Sequence, residues 1–383
     1  MENNEDATSL WMASYDGHVQ VVRQLIDAGA QINQSDNYGR TPLWVASQNG
    51  LVQVARLLID ARALLNQARN DKATPLWIAS QNGHVQVARL LINAGAQIDK
   101  ADDRFEATPL WIASRNGHVE VVRLLIDAER ELDYNPSDYR SETPLWVASH
   151  NGHDEVVRLL IDNGVMIDAE DSGGATPLSM ASYEGHDEVV RLLINAGANI
   201  NVAYYKVFES PLLVASRKGH LAVARLLVDA GADINQAHRN GVTPLSEASG
   251  YGHVAVARLL IDNGAEINQA DVGSATPIFC ASYGGHVEIV RLLIDNGALI
   301  NQARNNGETP IFAASQNGHV TIVRYLILHG SGMEQPDNQG RTPLAIAIAM
   351  GHADVAEYLA SDECKAEVKW SSDGNTTLSP LTA

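Results

Sequence analysis

Residues 41–59 read TPLWVASQNGLVQVARLLI, and the fold follows from this stretch. Thr41 is a good helix N-cap, because its side-chain oxygen takes up an orphan N–H of the first turn. Pro42 suits the first helical position, where its missing N–H costs nothing. The short helix begun there ends near Gly50, since glycine accepts the left-handed conformation that closes a helix. Val52, Val54, Leu57, Leu58 and Ile59 then lay an apolar stripe along a second helix. Two short antiparallel helices result. Neither can bury its apolar face alone, so the chain is all-α and each pair needs neighbours.

The neighbours are in the sequence. Thr-Pro-Leu or a close variant starts at Thr8, Thr41, Thr74, Thr108, Thr143, Thr176, Ser210, Thr243, Thr276, Thr309 and Thr342, mostly at intervals of 33 residues. A chain of 383 residues would otherwise divide into two or three globular domains. Eleven stacked layers spaced about 10 Å apart would make a curved rod on the order of 100 Å long. The unit resembles the ankyrin repeat in its period and in its Thr-Pro-Leu opening. That resemblance implies a solenoid of stacked helix-turn-helix units with protruding β-turn fingers, whose concave face is lined by the fingers and the ends of the first helices. It covers residues 8–360. Residues 1–7 form an acidic N-terminal segment, and residues 361–383 read as a polar, disordered tail in which Trp370 could centre a short docking peptide.

Composition narrows the function. With 45% hydrophobic and 19% charged residues, and no apolar run near the roughly 18 that a membrane span needs, the sequence reads as soluble and foldable. The start MENNEDATSL has neither the basic region nor the apolar core of a signal peptide, which points to a cytoplasmic or nucleocytoplasmic protein. A net charge of −19 disfavours nucleic acid and anionic membranes and favours a neutral or basic protein partner. Cys280 and Cys364, the two cysteines, cannot make a disulfide framework, and Cys280 reads as a buried, inert thiol.

Abundant residue types fall into structural columns. Ten histidines, His18, His84, His118, His153, His186, His220, His253, His286, His319 and His352, directly follow the inter-helix glycine, one layer apart, too far to share a zinc at about 2.0 Å per bond. An arginine column runs along the second helices, commonly with Asp four residues on, as in Arg56 and Asp60, and reads as a solvated face. No phosphate loop, nucleophile elbow, CxxC pair or HExxH helix occurs. No catalytic, cofactor or metal residue is therefore assigned.

The departures from the family pattern are the informative part. Where ankyrin repeats usually carry His after Thr-Pro-Leu, this chain has Trp11, Trp44, Trp77, Trp111 and Trp146, then Ser179, Leu213, Ser246, Phe279, Phe312 and Ala345. A column of large aromatics reads first as inter-repeat packing, and otherwise as an exposed ledge. The helix-ending glycine is replaced by Arg62 and Glu129, at a cost of roughly 1 kcal/mol each if the left-handed conformation is kept. Extra residues lengthen the fingers around 102–107, 134–142 and 202–209.

The candidate protein-binding residues lie in those fingers and at the ends of the first helices: Phe105, Arg115, Tyr134, Tyr139, Arg140, His150, Tyr183, Tyr204, Tyr205, Phe208, Arg217, Lys218, Tyr251 and Tyr283. Tyrosine offers a stiff contact with a polar tip. Residues 204–208, Tyr-Tyr-Lys-Val-Phe, put apolar side chains in a finger that should be polar, with Arg217 and Lys218 making the same repeat locally basic. The sequence thus reads as a non-catalytic adaptor or scaffold, monomeric on its own, that holds a protein partner between about Phe105 and Tyr251. Two other uses of the fold stay open at this stage: a fixed subunit of a larger assembly, and an effector delivered into another organism's cells.

Overall fold

The computed structural model describes residues 8–128, 137–201 and 209–372. Its backbone divides into two compact units, Met1–Asn199 and Ile200–Ala383. Among the described residues every regular element is a helix. The first unit holds the pairs α1 (Ser9–Asp16) and α2 (Val19–Asp27), α3 (Pro42–Gln48) and α4 (Val52–Asp60), α5 (Pro75–Gln81) and α6 (Val85–Asn93), α7 (Pro109–Arg115) and α8 (Val119–Ala128), α9 (Pro144–His150) and α10 (Asp154–Asp162), and α11 (Pro177–Glu184) and α12 (Asp187–Asn195). The second holds α13 (Pro211–Lys218) and α14 (Leu221–Asp229), α15 (Pro244–Tyr251) and α16 (Val254–Asp262), α17 (Pro277–Gly284) and α18 (Val287–Asp295), α19 (Pro310–Gln316) and α20 (Val320–Leu328), α21 (Pro343–Met350) and α22 (Ala353–Ala360), and then α23 (Asp362–Ser372). Within each unit first helices pack on first helices and second helices on second helices, in chain order.

Three columns lock one layer to the next. The tryptophans fill the first: all five rings are buried. Each indole N–H donates across the layer boundary to the carbonyl just before the next repeat's Thr, from Trp11 to Arg40 at 2.9 Å, Trp44 to Ala73 at 3.0 Å, Trp77 to Ala107 at 2.8 Å, Trp111 to Glu142 at 2.8 Å and Trp146 to Ala175 at 3.1 Å. The column is packing, not ledge. Histidine fills the second: His84 Nε2 lies 2.9 Å from Gln48 O, and His286 Nε2 3.0 Å from Gly250 O. A carbonyl only accepts, so Nε2 carries the hydrogen. Gly50, at φ +67°, closes α3 as the sequence implies, and a Cβ on it would stand 2.6 Å from the His84 ring. The fingers make the third column, bonded one to the next by single backbone hydrogen bonds such as Asn70 N to Tyr38 O at 3.0 Å and Val272 N to Asn240 O at 2.8 Å.

One expectation changes. Residues 362–372, read as the start of a disordered tail, form α23. Ser361 Oγ accepts from Cys364 N at 3.1 Å, Arg324 binds Glu363 at 3.0 Å, and the Tyr358 hydroxyl donates to Glu367. Cys364 and Glu367 are buried by these contacts. A polar helix can close the end of a stack when its few buried groups are paired. The Trp370 side chain and residues 373–383 lie outside the described residues. In the finger expected at 134–142, residues 138–142 are closed by Asp138 N to Glu142 O at 3.1 Å, and residues 134–136, like Glu129, lie outside the described residues.

Arg62 keeps the helix ending that glycine makes elsewhere, at φ 69°, with Arg62 N donating to Ile59 O at 3.0 Å. The layer keeps its geometry and bears the strain. Arg62→Gly is expected to stabilise the first unit by about 1 kcal/mol, seen as a higher urea midpoint. An unchanged or lower midpoint would mean that Arg62 makes a compensating contact.

Candidate functional site

In the first unit the register of the repeats gathers five of the candidate residues at one place. The finger 102–107 is closed by Asp102, which bonds Ala107 in both directions, at 3.1 and 2.9 Å, and holds Phe105 half-buried. In the next finger, Asp138 Oδ1 accepts from Arg140 N and Glu142 N, each at 2.8 Å, and Tyr139 N donates to Phe105 O at 3.1 Å. A cleft of about 290 Å³ opens between these fingers and the ends of α7 and α9, lined by Phe105, Arg115, Tyr139, Arg140 and His150 over Trp111 and Trp146. Arg115 lies 5.5 Å from the Trp111 ring and 6.0 Å from Phe105, Arg104 lies 4.9 Å over Phe105, and Arg140 lies 5.2 Å over Tyr139. His150 stacks on Trp146 at 5.3 Å, with its Nδ1 3.8 Å from Glu184. Burial, and then the charge of Asp138, push the Glu142 carboxyl above the ordinary carboxylate range; burial does the same to Asp102. The floor is therefore apolar and acidic, and the rim carries guanidinium groups on aromatic faces.

The second unit has a different opening. A pocket of about 420 Å³ lies between α15 and α17, lined by Ser246, Glu247, Gly250, Ala275, Phe279 and Cys280. Asp271 and Arg304 flank it, and Tyr251 and Tyr283 stand exposed at its mouth. The sequence reading places Tyr251 and Tyr283 on the surface but misses the pocket between them. Its signal is the loss of two side chains one helical turn apart, at Ser246 and Gly250. Cys280, expected to be buried, is half-buried in the pocket wall; desolvation there, aided by Asp271 and Glu247, pushes its thiol up to about 12.

With both sites described, comparison becomes informative. A family model for ankyrin repeats, three copies to the model, matches residues 1–68, 61–138, 131–204, 206–271 and 278–370. The chain belongs to the ankyrin-repeat family. The crystal structure of the human ASB11 ankyrin repeat domain is similar to it, at a TM-score of 0.53 and 26% identity, covering 59% of this chain and 99% of that one. No curated protein matches the sequence. Ankyrin repeats are protein-interaction modules on a fold that is typically non-catalytic.

The remaining candidate residues of this ankyrin array do not join either site as expected. Arg217 does not make its repeat basic. It binds Glu209 at 2.5 Å and Glu247 at 3.2 Å. Burial opposes its charge, but those two hydrogen bonds raise its pKa further above the ordinary arginine value. Lys218 is exposed and Tyr183 half-buried. Tyr134, Tyr204, Tyr205 and Phe208 lie outside the described residues. Among the described residues no three His, Cys, Asp or Glu side chains converge as metal ligands would, and no helix is long and apolar enough to cross a membrane.

Cys280 supplies a check on the pocket. Its raised pKa leaves less thiolate than usual at pH 8, and the thiolate is the reacting form. A disulfide reagent at pH 8 should modify Cys280, half-buried in the pocket wall, more slowly in the folded ankyrin array than in urea. Equal rates in both would show that the pocket wall does not hold the thiol protonated.

Proposed function

We propose that the chain is a non-catalytic adaptor that holds a protein partner, and that the cleft between the 102–107 and 138–142 fingers is a principal contact. One observation carries this reading: Phe105, Arg115, Tyr139, Arg140 and His150, chosen from the repeat pattern alone, line one cleft. Stiff aromatic surface and planar guanidinium donors in a half-buried setting are the residue types that concentrate binding energy. Arg115 and Arg140 offer donors to a carboxylate or backbone carbonyl of a bound segment, while Tyr139 and Phe105 offer stacking area. The partner is neutral or basic overall, against the chain's net charge of −19, and meets the local arginines through a few acidic or aromatic side chains. The chain acts in the cytoplasm or nucleocytoplasm and is a monomer when free. The segment 202–208, with Tyr204, Tyr205 and Phe208, is a separate candidate contact on its sequence alone.

Affinity capture from a lysate of the source cells tests this, with three baits of equal folded content: the intact chain, a Tyr139→Ser/Arg140→Ala variant and a Tyr204→Ser/Tyr205→Ser/Phe208→Ser variant. The reading expects a protein captured by the intact chain to fall at least about tenfold with the first variant, the size of a two-residue hot-spot loss. Loss with the second variant alone would move the contact to the 202–208 finger. Equal recovery with all three would remove the fingers from the interface.

A further inference from the structure

In five layers the indole after Thr-Pro-Leu occupies a constant place, buried, with its N–H on the carbonyl before the next Thr. Each of those carbonyls also accepts the bond that closes its own finger, as Ala73 O does from Arg69 N at 3.0 Å. The repeat that starts at Thr243 breaks the pattern. Its column residue is Ser246, whose hydroxyl turns back to accept from Thr243 N at 2.8 Å and donate to Thr243 O at 2.9 Å, so no side chain enters the indole's place. One turn on, Gly250 stands where other repeats carry Gln48, Gln81, His150 or Gln316. The partner carbonyl is still there: Ala275 O, the counterpart of Ala73 O, takes its one hydrogen bond among the described residues from Asp271 N at 3.0 Å.

We propose that this pocket is a socket for a tryptophan side chain presented by a partner protein, with the ring against Phe279 and the indole N–H on Ala275 O. Its volume of about 420 Å³ lies at the small end of pockets that enclose a ligand, roughly 300–1,000 Å³. The same architecture accommodates an indole five times in the first unit. Glu247 and Asp271 beside the opening exclude an anionic ligand, and the Arg304 guanidinium is already seated 5.0 Å over Phe279. Tyr251 and Tyr283, 60% and 54% exposed, offer stiff rim contacts to the residues on either side of an inserted tryptophan. A polypeptide uses such a rim, and a free small molecule does not. The inference rests on the second unit and does not depend on the cleft of the first.

The test uses the full chain and a capped tripeptide, acetyl-Gly-(5-fluoro-Trp)-Gly-amide, followed by fluorine NMR. The wild-type chain should broaden the fluorine line. Ser246→Trp, which fills the socket from within, should abolish the broadening while keeping the far-ultraviolet helix signal. Gly250→Gln is the second variant, since a Cβ there meets only Cys280 Cβ at 3.5 Å, an ordinary contact, and it should weaken binding by narrowing the opening. The 1-methylindole analogue of the peptide, which cannot donate to Ala275 O, should compete about tenfold less well.

Any of four NMR results would overturn the proposal. They are no broadening with the wild type, broadening unchanged in both variants, equal competition by the matching Phe or Tyr peptide, and broadening of free 5-fluoroindole but not of the peptide. A wild-type dimer in sedimentation that Ser246→Trp dissociates would assign the socket to a second copy of the chain, and would equally overturn the partner assignment.

Discussion

A pair of helices of seven to ten residues each cannot enclose a core, so the whole structure depends on what each pair receives from the next. Here the decisive interaction is a side chain reaching across the layer boundary to a backbone carbonyl. Tryptophan does this toward the following repeat, and histidine toward the preceding one. Each tryptophan bond satisfies a buried indole N–H, and a buried donor left unmet costs about 1–3 kcal/mol. Each also fixes the rotation of one layer on another. Glycine at positions such as Gly50 is needed twice over: for the left-handed backbone, and because a Cβ would strike the histidine of the next layer.

The same register creates the binding surfaces. Because first helices pack on first helices in chain order, a finger residue such as Tyr139 and a helix end such as His150 are brought to one cleft. Changes that leave the staple intact alter only the surface, as Arg115 and His150 do beside intact Trp111 and Trp146. A change that removes the staple does more. Ser246 replaces an inter-layer bond with a local cap and opens a pocket floored by Phe279 and Cys280. Specificity in such a family arises from surface and column substitutions on a constant frame.

Much of this was legible in nineteen residues, 41–59, because caps, the closing glycine and the apolar stripe are all local signals. The burial of the tryptophans followed from their spacing, and five of the candidate contacts followed from the repeat register. What the sequence did not disclose depends on pairing between layers. Arg217 reads as a free positive charge until Glu247, thirty residues away, is placed beside it. DECKAEVKW reads as a polar tail because its helix is held by a buried Glu367 bonded to Tyr358 and by Arg324 on Glu363, which no composition reveals. The pocket at Ser246 and Gly250 is an intermediate case: both losses are visible in the sequence, but only their position one turn apart on α15 makes them one opening.

The most direct measurement of the central claim is hydrogen exchange at the assigned indole N–H groups of Trp11, Trp44, Trp77, Trp111 and Trp146, by nitrogen-15 NMR in native buffer. If these groups staple one layer to the next, those of Trp44, Trp77, Trp111 and Trp146 exchange only with the opening of the unit and share its protection, and Trp11, in the terminal layer, exchanges sooner. Exchange of all five at the rate of a free indole would show that the rings do not bond across layers, and would contradict the account at its base.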